Sequence, residues 1–229
     1  MSYETALAVF SPDGRLLQVE RAQQASEQGS LVVFSTSKDS VLLCIEKRNT
    51  NKLLIEEQDC KLITICPISK IYMTFSGLSP DSLLIRDYTR IAVRNHKILT
   101  GENITLQQLA NKLSSYKHEY TIARGKRPFG IRTVLMSKET ENGPQIFVVE
   151  PDGNCSQYIK GAIGSRSENI IKYMEETDCD ALEAIYQVTQ NDTQKLVCFE
   201  ISDFPEMIHE DVVKKRFDDI DKKAQNDGE

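Results

Sequence analysis

The sequence of 229 residues contains no tryptophan and only three histidines, His96, His118 and His209. These histidines are far apart along the chain, and none is spaced from a cysteine or a carboxylate as zinc ligands are. A Cys-x-x-Cys pair is also missing. We therefore predict neither a metal site nor a bound cofactor.

Long apolar runs are absent as well. No stretch approaches the roughly 18 consecutive apolar residues that a membrane-spanning helix needs. The N-terminus lacks the basic and then apolar regions of a secretory signal. The net charge is −6, with acidic and basic residues mixed along the chain. This charge pattern argues against a nucleic-acid or anionic-membrane partner.

The six cysteines do not suggest a disulfide framework in a chain of this length. Cys44 and Cys198 lie in apolar, strand-like runs, which predicts buried, reduced thiols of an intracellular protein. The remaining cysteines are Cys60, Cys66, Cys155 and Cys179.

No linker or internal repeat divides the chain, so we predict one domain over residues 1–229. Apolar runs bounded by turn residues predict strands at 31–34, 41–46, 62–65, 71–75, 131–136, 145–149, around 158–159, and at 195–201. Amphipathic patterns predict helices at 16–28, from 79, from 105, near 167, from 180, and within the tail 209–229. These elements predict a layered α+β fold with sheets packed together and helices outside.

Three of the helices carry capping signals. Ser79 before a proline is the predicted N-cap of one helix, and Thr105 with Gln108 forms a predicted capping box. Asp180, with Glu183 three residues later, caps another. The helix that starts near Ser79 carries an apolar stripe at Leu84, Tyr88, Ile91 and Ala92.

The first thirty residues contain a recognisable motif. A Ser-Pro-Asp-Gly turn at 11–14 precedes the helix at 16–28, which has Val19, Ala22 and Ala25 on one face. These residues resemble the N-terminal signature of proteasome α-type subunits, which they match at Tyr3, 9–15, 18–20 and Ala22. Similar landmarks follow over essentially the whole chain, at 46–49, 76–78, Asp81, 120–121, 125–130, 150–153 and 162–164.

The resemblance implies a four-layer α-β-β-α sandwich of the N-terminal nucleophile hydrolase type. It further implies a structural α subunit of the 20S proteasome, in a heteromeric seven-membered ring with other α subunits and stacked on a ring of β subunits. The helix at 16–28 would pack against a neighbouring α subunit. Such a protein takes part in ATP- and ubiquitin-dependent degradation in the cytoplasm and nucleus.

The position in the ring is less closely defined. The start of the chain resembles the fourth eukaryotic ring subunit, α type-7. Residues 48–54 and 125–127 are more similar to the third, α type-4. We prefer the fourth.

Three residues match a pocket that α subunits form with their ring neighbours. Lys61 corresponds to the lysine of the pocket that receives C-terminal tails of regulatory-particle ATPases, because a compact ammonium at a subunit boundary pairs with a terminal carboxylate. Gly29 and Leu78 correspond to a close backbone approach and an apolar wall of the same pocket. Without the resemblance, the preferred interpretation of Lys61 is a solvated lysine at a strand edge.

The residues that match the gate of α subunits depart from the family pattern. They are Tyr3, Glu4, Pro12 and Arg21, where the family usually has an aspartate in place of Glu4 and a tyrosine in place of Arg21. An Arg21–Glu4 ion pair would substitute for the phenol, although an exposed pair contributes only about 0–1 kcal/mol.

Catalytic β subunits of similar fold use a free N-terminal threonine as the nucleophile. The corresponding residue is Ser30, and residues 1–28 match the retained α-type extension that covers this position. We therefore expect a subunit without catalysis. Two alternatives are a self-processing N-terminal nucleophile hydrolase that uses Ser30, and a free-standing binding protein of the same fold.

Overall fold

The chain forms two five-stranded sheets and six helices in a computed structural model that describes residues 7–47, 61–138, 143–189, 195–202 and 204–226. The elements run α1 (Leu17–Glu27), β1 (Val32–Thr36), β2 (Val41–Glu46), β3 (Ile63–Cys66), β4 (Ile71–Gly77), α2 (Ser79–Thr100), α3 (Leu106–Ile122), β5 (Ile131–Ser137), β6 (Gln145–Val149), β7 (Cys155–Tyr158), β8 (Lys160–Ile163), α4 (Ser167–Glu176), α5 (Ala181–Thr189), β9 (Leu196–Ile201), β10 (Pro205–Ile208) and α6 (Glu210–Asn226).

Every strand pair within the two sheets is antiparallel. The first sheet has the order β10-β9-β2-β1-β8, and the second has the order β3-β4-β5-β6-β7. Consecutive strands that lie side by side are mostly separated by only a few residues in sequence, whereas α2 and α3 lie between the neighbouring strands β4 and β5.

Three apolar layers hold the sheets and helices together. One layer lies between the sheets and includes Phe34, Leu43 and Val134. A second lies between the first sheet and helices α4, α5 and α6. A third lies between the second sheet and helices α2 and α3. The strands are apolar on both faces because each sheet is covered on both sides. This arrangement confirms the predicted α-β-β-α sandwich.

The helix starts are predicted with mixed success. The capping box is present, since the Gln108 N–H donates to Thr105 Oγ1 and the Thr105 N–H donates to Gln108 Oε1. The Glu183 N–H donates to Asp180 Oδ1 over 2.9 Å, as expected of that cap. The N-cap prediction for Ser79 is wrong, because Ser79 is the first residue of α2 and Leu78 occupies the cap position.

The apolar stripe of α2 is only partly buried. Leu84 and Ile91 are 56% and 54% exposed, whereas Tyr88 and Ala92 of the same stripe pack against the core with the fully buried Ile85. The stripe therefore lies across the boundary between the buried and the exposed side of α2.

The first sheet has one strand that the sequence did not predict, β10, and the strand expected around 158–159 is in fact two strands. β7 is the edge of the second sheet, and β8 is the edge of the first. Tyr158 and Lys160 end and begin these strands, so the chain crosses from one sheet to the other at Ile159.

Cys44 and Cys198 are buried free thiols, as predicted, and they stand directly opposite each other on β2 and β9. Burial raises the pKa of the Cys44 thiol well above its usual value, and contact with Cys198 raises it further. Cys60 lies outside the described residues. Within the described ranges, no helix is both long and apolar enough to cross a membrane. The same ranges contain no cluster of three His, Cys, Asp or Glu side chains suited to a metal ion.

Candidate functional site

The predicted pocket residues lie close together, next to the ends of β1, β3, β4 and α2. Gly29 and Ser30 precede β1, Gly77 ends β4, and Leu78 stands before α2. Lys61 lies two residues before β3, on the edge of the second sheet. The fold thus brings residues 29–30, Lys61 and residues 77–78, which are far apart in sequence, to one end of the sandwich.

Lys61 is anchored by the fold and does not extend freely into solvent. Its Nζ donates to Ser30 Oγ over 2.7 Å and lies 5.3 Å from the centroid of the Phe75 ring. Ser30 is completely buried, whereas Lys61 is half-buried. The hydroxyl and the ring fix the position of an ammonium that still reaches the surface. The interpretation as a freely solvated strand-edge lysine is therefore not supported.

Gly29 is needed for a close approach of two backbone segments. A Cβ at Gly29 would lie 2.0 Å from the Gly77 nitrogen and 2.1 Å from Ser76 Oγ. Gly77 itself has φ of +120°, a conformation that other residues rarely adopt. The Ser76 hydroxyl donates to the Ser30 carbonyl over 2.9 Å and ties the two segments together. Two backbone segments of this chain therefore approach closely at Gly29, and the role of Gly29 in a pocket for regulator tails stays a prediction.

Leu78 is 46% exposed beside this contact, so its side chain is available as an apolar wall. The Leu78 N–H donates to the Gly130 carbonyl over 3.0 Å, and the Leu78 side chain lies against Gly130. Lys61, Gly29 and Leu78 are thus joined through Ser30, Gly77 and direct contacts.

An ion pair behind Leu78 holds the start of α2 in place. The buried Asp81 carboxylate accepts from Arg127 Nη1 and Nη2 over 2.8 and 2.7 Å, and from the Gly130 N–H over 2.9 Å. Burial alone would raise the pKa of Asp81, but the hydrogen bonds from Arg127 and Gly130 outweigh it and lower this pKa. The Arg-Pro-Phe-Gly motif at 127–130 therefore has a structural role that the sequence pattern did not show.

The environment of Ser30 differs from that of a catalytic nucleophile. Ser30 is an internal residue, and the Gly29 carbonyl that precedes it accepts from the Ser165 N–H over 3.0 Å. Glu46, at the end of β2, pairs with Arg166 over 2.5 Å. The Lys61 ammonium donates to Ser30 Oγ, so the hydroxyl acts as an acceptor in this contact.

The gate residues are only partly described. Tyr3 and Glu4 lie outside the described residues. Pro12 is exposed within the predicted turn, in which the Gly14 N–H donates to the Ser11 carbonyl over 2.9 Å. Arg21 is exposed on α1. The pairing of Arg21 with Glu4 stays a prediction.

A second surface is formed by α2. Leu84, Ile91 and Ile98 follow one another at intervals of seven residues, and Ile98 is 73% exposed. Seven residues make about two turns of an α-helix, so the three side chains form one line along α2. Exposed apolar lines of this kind mark contact surfaces between proteins.

The fold and the site together define an N-terminal nucleophile hydrolase sandwich whose nucleophile position lies inside the chain. Two family models match the sequence: the N-terminal signature of A-type proteasome subunits over residues 3–25, and the general proteasome subunit family over residues 26–196. Together the two matches cover residues 3–196, which include every landmark of the resemblance. Most of β9, together with β10 and α6, lies beyond the matched part.

Similar proteins agree with this assignment. The chain is 32% identical to the proteasome alpha type-7-1 subunit of Drosophila virilis over 173 residues, which is 76% of this chain and 68% of that protein. It is 30% identical to the proteasome alpha type-8 subunit of Mus musculus and to the proteasome alpha type-7 subunit of Caenorhabditis elegans, each with the same coverage over 174 residues. The chain belongs to the proteasome α-type subunit family and is similar to its α type-7 members. It is a structural subunit of the α ring of the 20S proteasome, assembled with other proteasome subunits.

Proposed function

We propose that this subunit has no catalytic activity of its own and that Lys61 receives the C-terminal carboxylate of a regulatory-particle ATPase tail. The tail would insert between this chain and the neighbouring α subunit. The observation that carries the proposal is the position of Lys61, held at the surface by Ser30 and Phe75 beside exposed Leu78. Lys61 supplies the charge for the carboxylate, and Leu78 supplies an apolar wall for the side chains before it.

Substitution of Lys61 in the assembled α ring tests this proposal. A fluorescent peptide with the free C-terminus of a regulatory ATPase should bind the unchanged ring about tenfold more tightly than the same peptide with an amidated C-terminus, a difference of roughly 1.4 kcal/mol. Lys61→Met should remove that preference, because the remaining contacts do not distinguish the two peptides. Lys112→Met, a change of an exposed lysine on α3, is the matched control. A preference that survives in Lys61→Met would contradict the proposal.

The absence of catalysis is supported by the burial of Ser30 and by the match of residues 3–25 to the N-terminal signature of A-type proteasome subunits. A nucleophile of this class needs a free α-amino group as its base. The matched segment and α1 lie ahead of Ser30, and the Gly29 carbonyl accepts from the Ser165 N–H. The self-processing alternative is therefore not favoured.

The exposed line on α2 supports contact with a β-type subunit of the stacked ring. A surface formed by Leu84, Ile91 and Ile98 is too apolar to be left in water over the length of a 22-residue helix. We assign the contact between rings to this face of α2, and the contacts within the α ring to the end of the sandwich that carries Lys61.

We further propose that Pro12 and Arg21 contribute to the gate with Tyr3 and Glu4. The expected contribution of the Arg21–Glu4 pair is small, about 0–1 kcal/mol, because Arg21 is exposed. Arg21→Ala should therefore change peptide entry into the assembled particle only slightly. A large change in the hydrolysis of fluorogenic peptides would show that Arg21 has a stronger role.

A further inference from the structure

A cleft of about 570 Å³ opens beside α4, away from Lys61 and from the exposed line on α2. It lies where the edge strands of the two sheets, β7 and β8, face each other. Its apolar wall consists of Phe34, Val148, Tyr158, Ile163, Ile171 and Met174. A cleft of this size is comparable with cavities that bind ligands in other proteins.

The exposed apolar surface of the cleft comes from Tyr158 and Ile171, which are 40% and 37% exposed. Phe34 lies beneath them, only 1% exposed, and packs closely on the β8 backbone, since a Cβ at Gly161 would lie 3.2 Å from Phe34 Cε2. The Phe34 ring meets the Tyr158 ring edge-on, with 6.3 Å between the centroids. An apolar side chain entering the cleft would therefore contact the Tyr158 ring and Ile171, with Phe34 at the base.

Acidic side chains outnumber basic side chains around the cleft. Four carboxylates line it, from Glu150, Glu175, Glu176 and Asp178, against two basic groups. Arg132 is paired with Glu150 over 2.5 Å, and Lys160 is paired with Asp178 over 3.4 Å.

Both basic groups of the cleft are thus used within the chain. In the described part of the structure, Glu175 and Glu176 form no ion pair and their carboxylates accept no hydrogen bond, and both are exposed. The two form an acidic rim on α4, directly beside the apolar wall.

We propose that this cleft binds an extended segment of a partner polypeptide in which one large apolar side chain stands next to lysine or arginine. The apolar side chain fills the space between Phe34, Tyr158 and Ile171, and the basic side chain pairs with Glu175 and Glu176. The acidic rim disfavours phosphate-bearing partners and favours cationic ones. This inference concerns a third surface and does not depend on the proposed role of Lys61.

Fluorescence anisotropy with the full chain tests the proposal. The probes are short labelled peptides with a leucine or phenylalanine between two lysines, and the same peptides with glutamates in place of the lysines. The lysine peptides should bind, the glutamate peptides should not, and added salt should weaken binding because the charges lie at the surface. If no lysine peptide binds at millimolar concentration, or if both sets bind equally, the proposal is overturned.

Variants separate the two parts of the cleft. The double variant Glu175→Gln/Glu176→Gln should weaken the lysine peptides about tenfold, equivalent to roughly 1.4 kcal/mol. Ile171→Ala should weaken them by a similar factor without changing the salt dependence. The control is Glu102→Gln/Glu206→Gln, which removes two exposed carboxylates elsewhere and should leave binding unchanged. Equal losses in the acidic-rim variant and the control would show an unspecific charge effect and would overturn the proposal.

Discussion

Lys117 shows how a single residue can make the stability of this subunit depend on pH. It is completely buried on α3, and its Nζ donates to the Ile131 and Val149 carbonyls over 2.9 and 2.7 Å. Burial lowers the pKa of Lys117 to about 7, although Glu150 and Asp152 act in the opposite direction. A neutral lysine amine has two N–H groups, so it can donate to both of these carbonyls.

The pH dependence follows from the sign of this shift. The pKa of Lys117 is lower in the folded state than the usual 10.5, so the unfolded chain binds more protons between these values. The free energy of unfolding should therefore rise with pH, by about 2–3 kcal/mol between pH 6 and pH 9 from this group alone. Lys117→Met should remove that rise. Urea unfolding at both pH values measures it, with exposed Lys112→Met as the control. An unchanged slope in Lys117→Met would show that other groups cause the pH dependence.

Asp81 gives a second residue-scale prediction. Asp81→Asn removes the ionised acceptor of Arg127 and of the Gly130 N–H and should lower the free energy of unfolding by about 1.5–3 kcal/mol, as for hydrogen bonds to a charged group, because Arg127 itself is 59% exposed. Because the pKa of Asp81 is lowered in the folded state, its contribution is present near neutral pH and is lost as the pH falls below about 4.

Thermal unfolding at neutral and acidic pH measures the effect. The difference between Asp81→Asn and the unchanged chain should shrink in acid. The control Asp87→Asn removes an exposed carboxylate on the same helix, paired with Arg86, and should change stability by less than about 0.5 kcal/mol. A difference for Asp81→Asn that stays constant down to acidic pH would contradict the assignment.

Lys117 and Lys61 show how much of a residue's surroundings can be predicted from the sequence alone. The buried face of α3 contains Leu106, Leu109 and Leu113, and the same helical spacing continues to Lys117. This spacing was the signal that could have placed Lys117 on the buried face, but a lysine does not by itself indicate burial. The bond from Lys61 to Ser30 left no trace in the sequence, because it depends on how β1 and the start of β3 are placed in space.

Among the helices and strands, α2 shows most clearly that helical periodicity does not predict burial. Its apolar spacing was correctly recognised, but Leu84 and Ile91 face outward while Ile85 faces the core. Periodicity identifies a helix with an apolar face, and it does not tell whether that face is covered by the same chain or by another. An apolar side that stays exposed, as at Leu84 and Ile91, therefore cannot be told from a core face in a single sequence.

Ile91→Asp tests the role of this face. Because Ile91 is 54% exposed, the change should alter the stability of the isolated chain by less than about 1 kcal/mol. Incorporation into the complete particle should be strongly reduced, since a charge would be buried at the contact between subunits. Native mass spectrometry of the assembled products measures this, with Lys172→Asp on α4 as the control. Normal assembly of Ile91→Asp would exclude the α2 face from the interface.

The strands near the edges of the sheets were the least predictable elements. The chain passes from β7 to β8 within one residue, and no glycine or proline marks the change between Tyr158 and Lys160. β10 is a four-residue edge strand that begins with Pro205. Proline is tolerated at such a position, so Pro205 was a usable but weak signal.

At the scale of the whole molecule, the residue pattern alone predicted layers of sheets and helices. The four-layer order came from the resemblance, and the three apolar clusters then explain it physically, since each sheet needs cover on both faces. The family models match the sequence only as far as residue 196. The strands β9 and β10, which complete the first sheet, therefore could not be predicted from the family pattern.

The intact backbone at Ser30 gives a prediction for the whole molecule. Particles that contain this chain should release it with residues 1–29 attached, because Ser30 is buried and its preceding carbonyl is hydrogen-bonded. Intact mass spectrometry of the denatured particle measures this. Ser30→Ala should leave the peptidase activity of the particle unchanged. A chain that begins at Ser30 would restore the self-processing alternative.

The contact between Gly29 and Gly77 has a thermodynamic consequence. Near Lys61 the half-buried Gly77 contributes only backbone to the surface, and backbone has no rotamers to lose when a ligand arrives. Each mobile side chain that a ligand immobilises costs about 0.5–1.5 kcal/mol, and this part of the surface avoids that cost. Calorimetry of tail binding should therefore show a small entropic penalty from the protein, with most of the ordering borne by the tail.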